Sequence, residues 1–137
     1  RSIPSFRDGI QAIRQRDFAA AAEHFRAGLE IDPDNRAARI SYARALYLSG
    51  RPGAAREALE RVLAEHAREP LAIFLMGILL EGEGAIGEAA VRYREVLQID
   101  AEHPGAHFYL ANLAMRQGEY RQAAQHYAAA LEANPDV

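Results

Sequence analysis

Residues 70–103 read PLAIFLMGILLEGEGAIGEAAVRYREVLQIDAEH, and residues 104–137 read PGAHFYLANLAMRQGEYRQAAQHYAAALEANPDV. Both segments are 34 residues long and open on a proline. Laid one under the other, they share a small residue at position 8 (Gly77, Ala111), glycine at 15 (Gly84, Gly118), alanine at 20 (Ala89, Ala123), tyrosine at 24 (Tyr93, Tyr127) and leucine at 28 (Leu97, Leu131). The same ruler runs back to the start of the chain without a gap and cuts it into 2–35, 36–69, 70–103 and 104–137. Position 20 is then also Ala21 and Ala55, position 28 Leu29 and Leu63, position 8 Gly9 and Ala43, and position 24 Phe25 and Leu59. Position 15 is Gly50 in the second repeat and Arg16, the exception, in the first. Position 32 is proline at the two ends (Pro33, Pro135) and alanine in the middle (Ala67, Ala101).

Each regularity has a physical cause. Small residues at 8 and 20 let two antiparallel helices, A and B, approach closely, and the large residue at 24 and Leu at 28 fill the space beside that approach. Glycine at 15 suits a left-handed helix end, so helix A stops there and helix B starts within two residues. Asp17, Pro52 and Glu119 supply capping or first-turn chemistry for helix B. Pro70 and Pro104 open a helix A, where a missing N–H costs nothing. The register predicts eight helices, with A–B turns near 15–17, 50–52, 84–86 and 118–120 and turns between repeats near 33–35, 67–69 and 101–103.

A 34-residue helix–turn–helix period with these positions resembles the tetratricopeptide repeat family over essentially the whole chain. The departures are local: no Trp stands at position 4 (Ser5, Arg39, Ile73, His107), and Asp8 occupies a usually apolar position 7. The resemblance implies an all-α, right-handed superhelical solenoid of four helix–turn–helix units, spanning 1–137 as a single domain. It places helix A on a concave side and helix B on a convex side. One repeat cannot bury its own apolar face, so stacked neighbours make the core. The chain opens on Arg1 and closes at position 34 of the fourth repeat, which reads as an excised segment lacking the polar capping helix usual in the family. Tyr127 and Leu131 are accordingly expected to be partly exposed, or covered by a second molecule.

Composition bounds the function. Half the residues are apolar and 26% charged, the balance of a globular protein. No apolar run reaches the roughly 18 residues of a membrane span; Leu71–Leu80 is interrupted by Gly77 and followed by Glu81. The expected partners therefore include no membrane insertion. All 16 basic residues are arginine, which reads as coding bias, and the net charge is −3. Charge is uneven, +2 over residues 1–69 and −5 over 70–137. Neutralising phosphates drives nucleic-acid binding, so no nucleic-acid partner is expected. Cysteine is absent, which removes disulfides and thiolate metal sites and leaves the compartment open; the cytoplasm is the default reading and the periplasm the alternative.

Catalytic and ligand motifs are absent or incomplete. Gly82–Gly87 spells a dinucleotide-binding string, but that motif needs a preceding strand, and here the glycines fall in an A–B turn. His103 and His107 have metal-ligand spacing without an obvious third ligand. His24 and His126 share position 23 in repeats too far apart to cooperate. The serines stand in no nucleophile elbow, and the absence of lysine removes a phosphate-loop lysine. Acid pairs such as Glu81 and Glu83 read as capping and solubility. No catalytic, metal or cofactor site is expected, and no enzyme activity.

The family resemblance implies instead a ligand groove on helix A at positions 2, 5, 6, 9, 12 and 13. Position 5 contributes Phe6, Ile40, Phe74 and Phe108, and positions 2 and 6 contribute Leu71, Leu75 and Tyr109. Position 9 contributes Ile10, Arg44, Ile78 and Asn112, and positions 12 and 13 contribute Tyr47, Met115 and Arg14. Phe74 is expected to stand clear of the core positions 8, 20, 24 and 28. The lysine and asparagine set of a carboxylate clamp is missing in either frame, as is the asparagine ladder at position 6 found elsewhere in the family. The function expected is a protein-interaction module binding an apolar or amphipathic segment in that groove. The alternatives are a docking segment of a larger bacterial enzyme, such as a chemotaxis-type methyltransferase, and self-association through the uncovered C-terminal repeat.

Overall fold

The computed structural model describes residues 3–136; Ser2 and Val137, the outermost residues of the repeat frame, lie outside the described residues. Eight α-helices and no strand occur among them. They are α1 (Pro4–Arg14), α2 (Phe18–Ile31), α3 (Arg36–Leu48), α4 (Pro52–Glu65), α5 (Pro70–Gly82), α6 (Ile86–Ile99), α7 (Pro104–Arg116) and α8 (Tyr120–Ala133). Every break falls where the register places it. The chain divides into two compact units of two repeats each, Arg1–Ala67 and Arg68–Val137. Within the first, α1 packs on α2, α2 on α3 and α3 on α4; within the second, α5 packs on α6, α6 on α7 and α7 on α8.

The close approach of A and B helices depends on the small residue at position 8. A Cβ added at Gly77 would lie 2.6 Å from the ring of Tyr93, and one at Gly9 would lie 3.0 Å from Phe25. Those two rings are 0% and 2% exposed, so position 24 fills the space that position 8 vacates. Alanine at position 20 is sealed in all four repeats, at no more than 1% exposure.

Helix ends follow local chemistry, with one correction. Asp17 caps α2 by accepting from the Ala20 N–H at 3.1 Å, and Asn35 caps α3 by accepting from Ala38 at 3.0 Å. Pro52, Pro70 and Pro104 each occupy the first turn of a helix. Glu119 precedes α8, but its side chain makes no capping bond. Glutamate is one methylene longer than aspartate, which works against the short return to the second or third N–H.

The A–B turns of repeats two to four run through a left-handed residue, Gly50 (φ 86°), Gly84 (85°) and Gly118 (76°). Arg16 takes the same conformation, with φ 59°, in the first repeat. A side chain in that region costs about 1–2 kcal/mol. Arg16 recovers part of it through its guanidinium, 5.4 Å from the centre of the Phe18 ring, a contact worth about 0.5–1 kcal/mol at an exposed site. Arg16→Gly should therefore raise stability, by up to about 1 kcal/mol in denaturant melts. A loss of stability would mean that the ring contact outweighs the backbone strain.

Candidate functional site

In the first unit, α1 and α3 turn register positions 9 and 13 outward. Ile10 is 48% exposed and Leu48 is 40% exposed, with Arg14 and Arg44 exposed beside them and Tyr47 half-buried. Leu48 stands at position 13, and the sequence reading reaches that position only through Arg14. The position-5 residues of this unit behave differently. Ile40 is 4% exposed and belongs to the core. Phe6 is half-buried against α2: a Cβ at Gly28 would overlap its ring, and its centroid is 6.4 Å from that of Phe25.

The second unit exposes apolar residues at other register positions and carries more aromatic rings. Leu71 on α5 and Met115 on α7 are 47% and 45% exposed, Ile78 is half-buried and Arg116 exposed. Leu75 is 9% exposed and belongs to the core. Phe74 does not stand clear of the core. Its ring lies 5.8 Å from Tyr93, 5.0 Å from His103 and 5.3 Å edge-on from Tyr109, and a Cβ at Gly105 would meet it at 2.8 Å. Phe108 packs on Tyr127 and Tyr109, both at 5.9 Å. Position 5 therefore forms the seam between A and B helices in both units, and the outward faces are built from positions 2, 9, 12 and 13. The reason is geometric: position 5 is one turn before position 8, so both point toward helix B. Phe74→Glu should consequently cost about 3–5 kcal/mol of stability, as removal of a packed aromatic ring does. Melts unchanged from wild type would return Phe74 to the outward face.

Polar groups brace this seam. The Glu81 carboxylate accepts from the Tyr93 hydroxyl at 2.8 Å and lies 3.7 Å from the Arg116 guanidinium. Glu81 is thus a packing residue and not merely a solubilising one. Tyr127 donates its hydroxyl proton to Asn112 Oδ1, so Asn112, expected in a groove, is tied to helix α8. Leu131 is 50% exposed and Tyr127 half-buried.

Histidine placement was not legible from spacing. His107 and His103 do not converge; His107 Nδ1 lies 3.0 Å from His126 Nδ1 on α8, and His107 Nε2 lies 2.8 Å from the Ala101 carbonyl. His103 Nδ1 accepts from the Ala106 N–H at 3.0 Å and caps α7. Burial lowers the pKa of both His103 and His126, with the charges of His107 and Arg94 adding to the lowering at His126. No set of three His, Cys, Asp or Glu side chains that could hold a metal occurs among the described residues.

A cleft on the other side of the helices also differs between units. The first unit has one of about 540 Å³ lined by Leu29, Tyr42, Leu46, Ala54, Ala58 and Arg61 among others. Its counterpart in the second unit is about 140 Å³, because Gln122 and His126 stand where Ala54 and Ala58 stand. Two of the arginines on the larger cleft are already matched, Arg26 by Glu23 and Glu30, and Arg39 by Glu65.

The family model of the tetratricopeptide repeat matches residues 12–75 and 80–137. Photosystem I assembly protein Ycf3 of Synechococcus sp. (strain CC9902) is 31% identical over 86 residues, 61% of this chain and 50% of the relative, so the match spans half of that protein. The crystal structure of TTC0263, a thermophilic TPR protein of Thermus thermophilus, superposes with a TM-score of 0.84 over 96% of this chain and 74% of the other, at 18% identity. YrrB, described as a TPR protein with an unusual peptide-binding site, superposes with a TM-score of 0.71 over 93% of this chain and 66% of the other, at 20% identity.

Proposed function

The chain belongs to the tetratricopeptide repeat family, and from that premise we propose that it holds a segment of another protein against the outward faces of its A helices. The observation that carries this reading is the exposure of Ile10 and Leu48 in the first unit and of Leu71 and Met115 in the second, each 40–48% exposed and each on an A helix. Single exposed apolar residues are ordinary, but each unit sets two of them on its A helices, and exposed apolar patches on proteins mark interfaces. Arg14 and Arg44 in the first unit and Arg116 in the second are exposed on the same A helices, which suits an amphipathic segment with apolar anchors and a polar edge.

The packed rings at position 5 have a supporting role. Phe6, Phe74, Phe108 and Tyr109 fix the A helices on their partners, and Ile40 and Leu75 lie beneath the surface. The contact set then reduces to Ile10, Arg14, Arg44, Tyr47 and Leu48 in the first unit, and Leu71, Ile78, Met115 and Arg116 in the second, with Asn112 at the margin. The peptide-binding site named for YrrB and the assembly role named for Ycf3 agree with a docking or assembly function for this chain. We treat the four repeats as one working domain.

Affinity capture on the wild-type chain and on a Leu71→Glu/Met115→Glu variant, both read by mass spectrometry, tests the proposal. A protein retained by the first and lost from the second supports it. Identical captures would reject these faces. The 50% exposure of Leu131 favours a second reading, self-association through the end of repeat four. Light scattering that reports a concentration-dependent mass, abolished by Leu131→Glu, would support that reading.

A further inference from the structure

We infer that the first turn of α7 is an acid-sensitive catch, closed while His103, His107 and His126 are neutral and opened when they charge. Three hydrogen bonds meet there. The Ala101 carbonyl can only accept, so His107 carries its hydrogen on Nε2 and keeps a lone pair on Nδ1. The hydrogen between the two rings therefore belongs to His126 Nδ1. The Ala106 N–H can only donate, so His103 also keeps a lone pair on Nδ1.

These assignments decide where added protons go. On His103 the vacant nitrogen is the capping nitrogen itself, and a proton there removes the cap of α7. On the ring pair a first proton goes to His126 Nε2 and leaves the bond between the rings in place. A second must go to His107 Nδ1, where two N–H groups would then face each other across 3.0 Å. The catch thus tolerates one proton on the pair and none on His103.

The charged neighbours are few. Arg94 of α6 and Glu119 before α8 line the same small cleft as His126, and Asp100 and Glu102 stand in the α6–α7 turn. Asp100 favours a charged His103, but burial outweighs it, and burial, His107 and Arg94 all disfavour a charged His126. Both rings consequently titrate below a free histidine, whose midpoint is about 6.5. As pH falls through about 6.5 the unfolded chain takes up protons that the folded chain resists, so stability falls on the acid side.

Opening the catch would reach the proposed docking face. The His103 ring lies 5.0 Å from Phe74, and Phe108 and Tyr127, next in sequence to His107 and His126, make the ring contact on the same α7–α8 seam. That consequence rests on the docking reading; the catch does not, and its test uses no ligand. Amide exchange followed by mass spectrometry on the full chain, at about pH 7.5 and about pH 5 and corrected for intrinsic rates, reads it directly. Exchange in α7 and α8 should rise at least about tenfold at the lower pH while α1 to α4 change little. In a His103→Asn/His107→Ala/His126→Ala variant the two pH values should give equal rates, whatever their level. Equal rates in the wild type, or an undiminished pH response in the variant, would overturn the inference. If the variant does not fold, proton NMR of the wild-type rings decides: His103 and His126 must titrate below the free-histidine midpoint of about 6.5, and midpoints at or above it refute the catch.

Discussion

Ala89→Glu is expected to leave the second unit unfolded at room temperature. Ala89 is 0% exposed on α6, the helix that packs against α5, at the one register position that is alanine in every repeat. A glutamate there must either push the helices apart or bury its carboxylate. Overpacking alone costs about 1–3 kcal/mol, and a buried carboxyl without a partner adds several more. Substitutions costing more than about 4–5 kcal/mol are exceptional, and a whole domain holds only about 5–15 kcal/mol. Circular dichroism should accordingly show lost helix content. A melt within a few degrees of wild type would mean that the A–B seam in this repeat is looser than Ala89 implies.

The reach of sequence reasoning can be followed through a few residues. Turn positions were legible because glycine at position 15 answers a local need, a left-handed φ, and local needs leave local signatures. Arg16 shows the same conformation without the residue that announces it, since the register of the other three repeats imposes the turn. Core positions 8, 20 and 24 were legible because the four repeats supply four independent readings of each.

The docking faces were only partly legible. A period of 3.6 residues states that positions 5 and 9 lie near each other on a helix, but not where burial ends between them. The period alone therefore leaves Phe74 outward, whereas three rings pack around it in the fold, and it does not distinguish Leu48 from Tyr47. The histidines were least legible of all. His107 and His126 are 19 residues apart on different helices, and the period fixes which helices pair without fixing which side chains meet across them. Spacing suggested His103 with His107, whereas the fold uses one as a cap and the other as a bridge to α8.

The double variant Leu71→Glu/Met115→Glu carries the second large expectation. Both residues are nearly half exposed on helix faces, so each exchange should cost about 0.5 kcal/mol of stability or less. Glutamate, leucine and methionine have similar helix propensity, and Leu71 sits in the first turn of α5, where an acidic side chain is favoured by the helix dipole. Binding should respond very differently. Burying an apolar side chain of this size at an interface is worth about 1.5–3 kcal/mol, and every 1.4 kcal/mol is about tenfold in affinity. Losing both anchors and desolvating two carboxylates should weaken a partner by at least about a hundredfold.

The most direct test of the central claim is a calorimetric titration of the captured partner segment into wild type and the double variant, beside melts of both proteins. The docking account predicts melts within a few degrees of each other and an affinity at least about a hundredfold weaker in the variant. Equal affinities at equal stability would contradict it, and would move the partner off the A helices altogether.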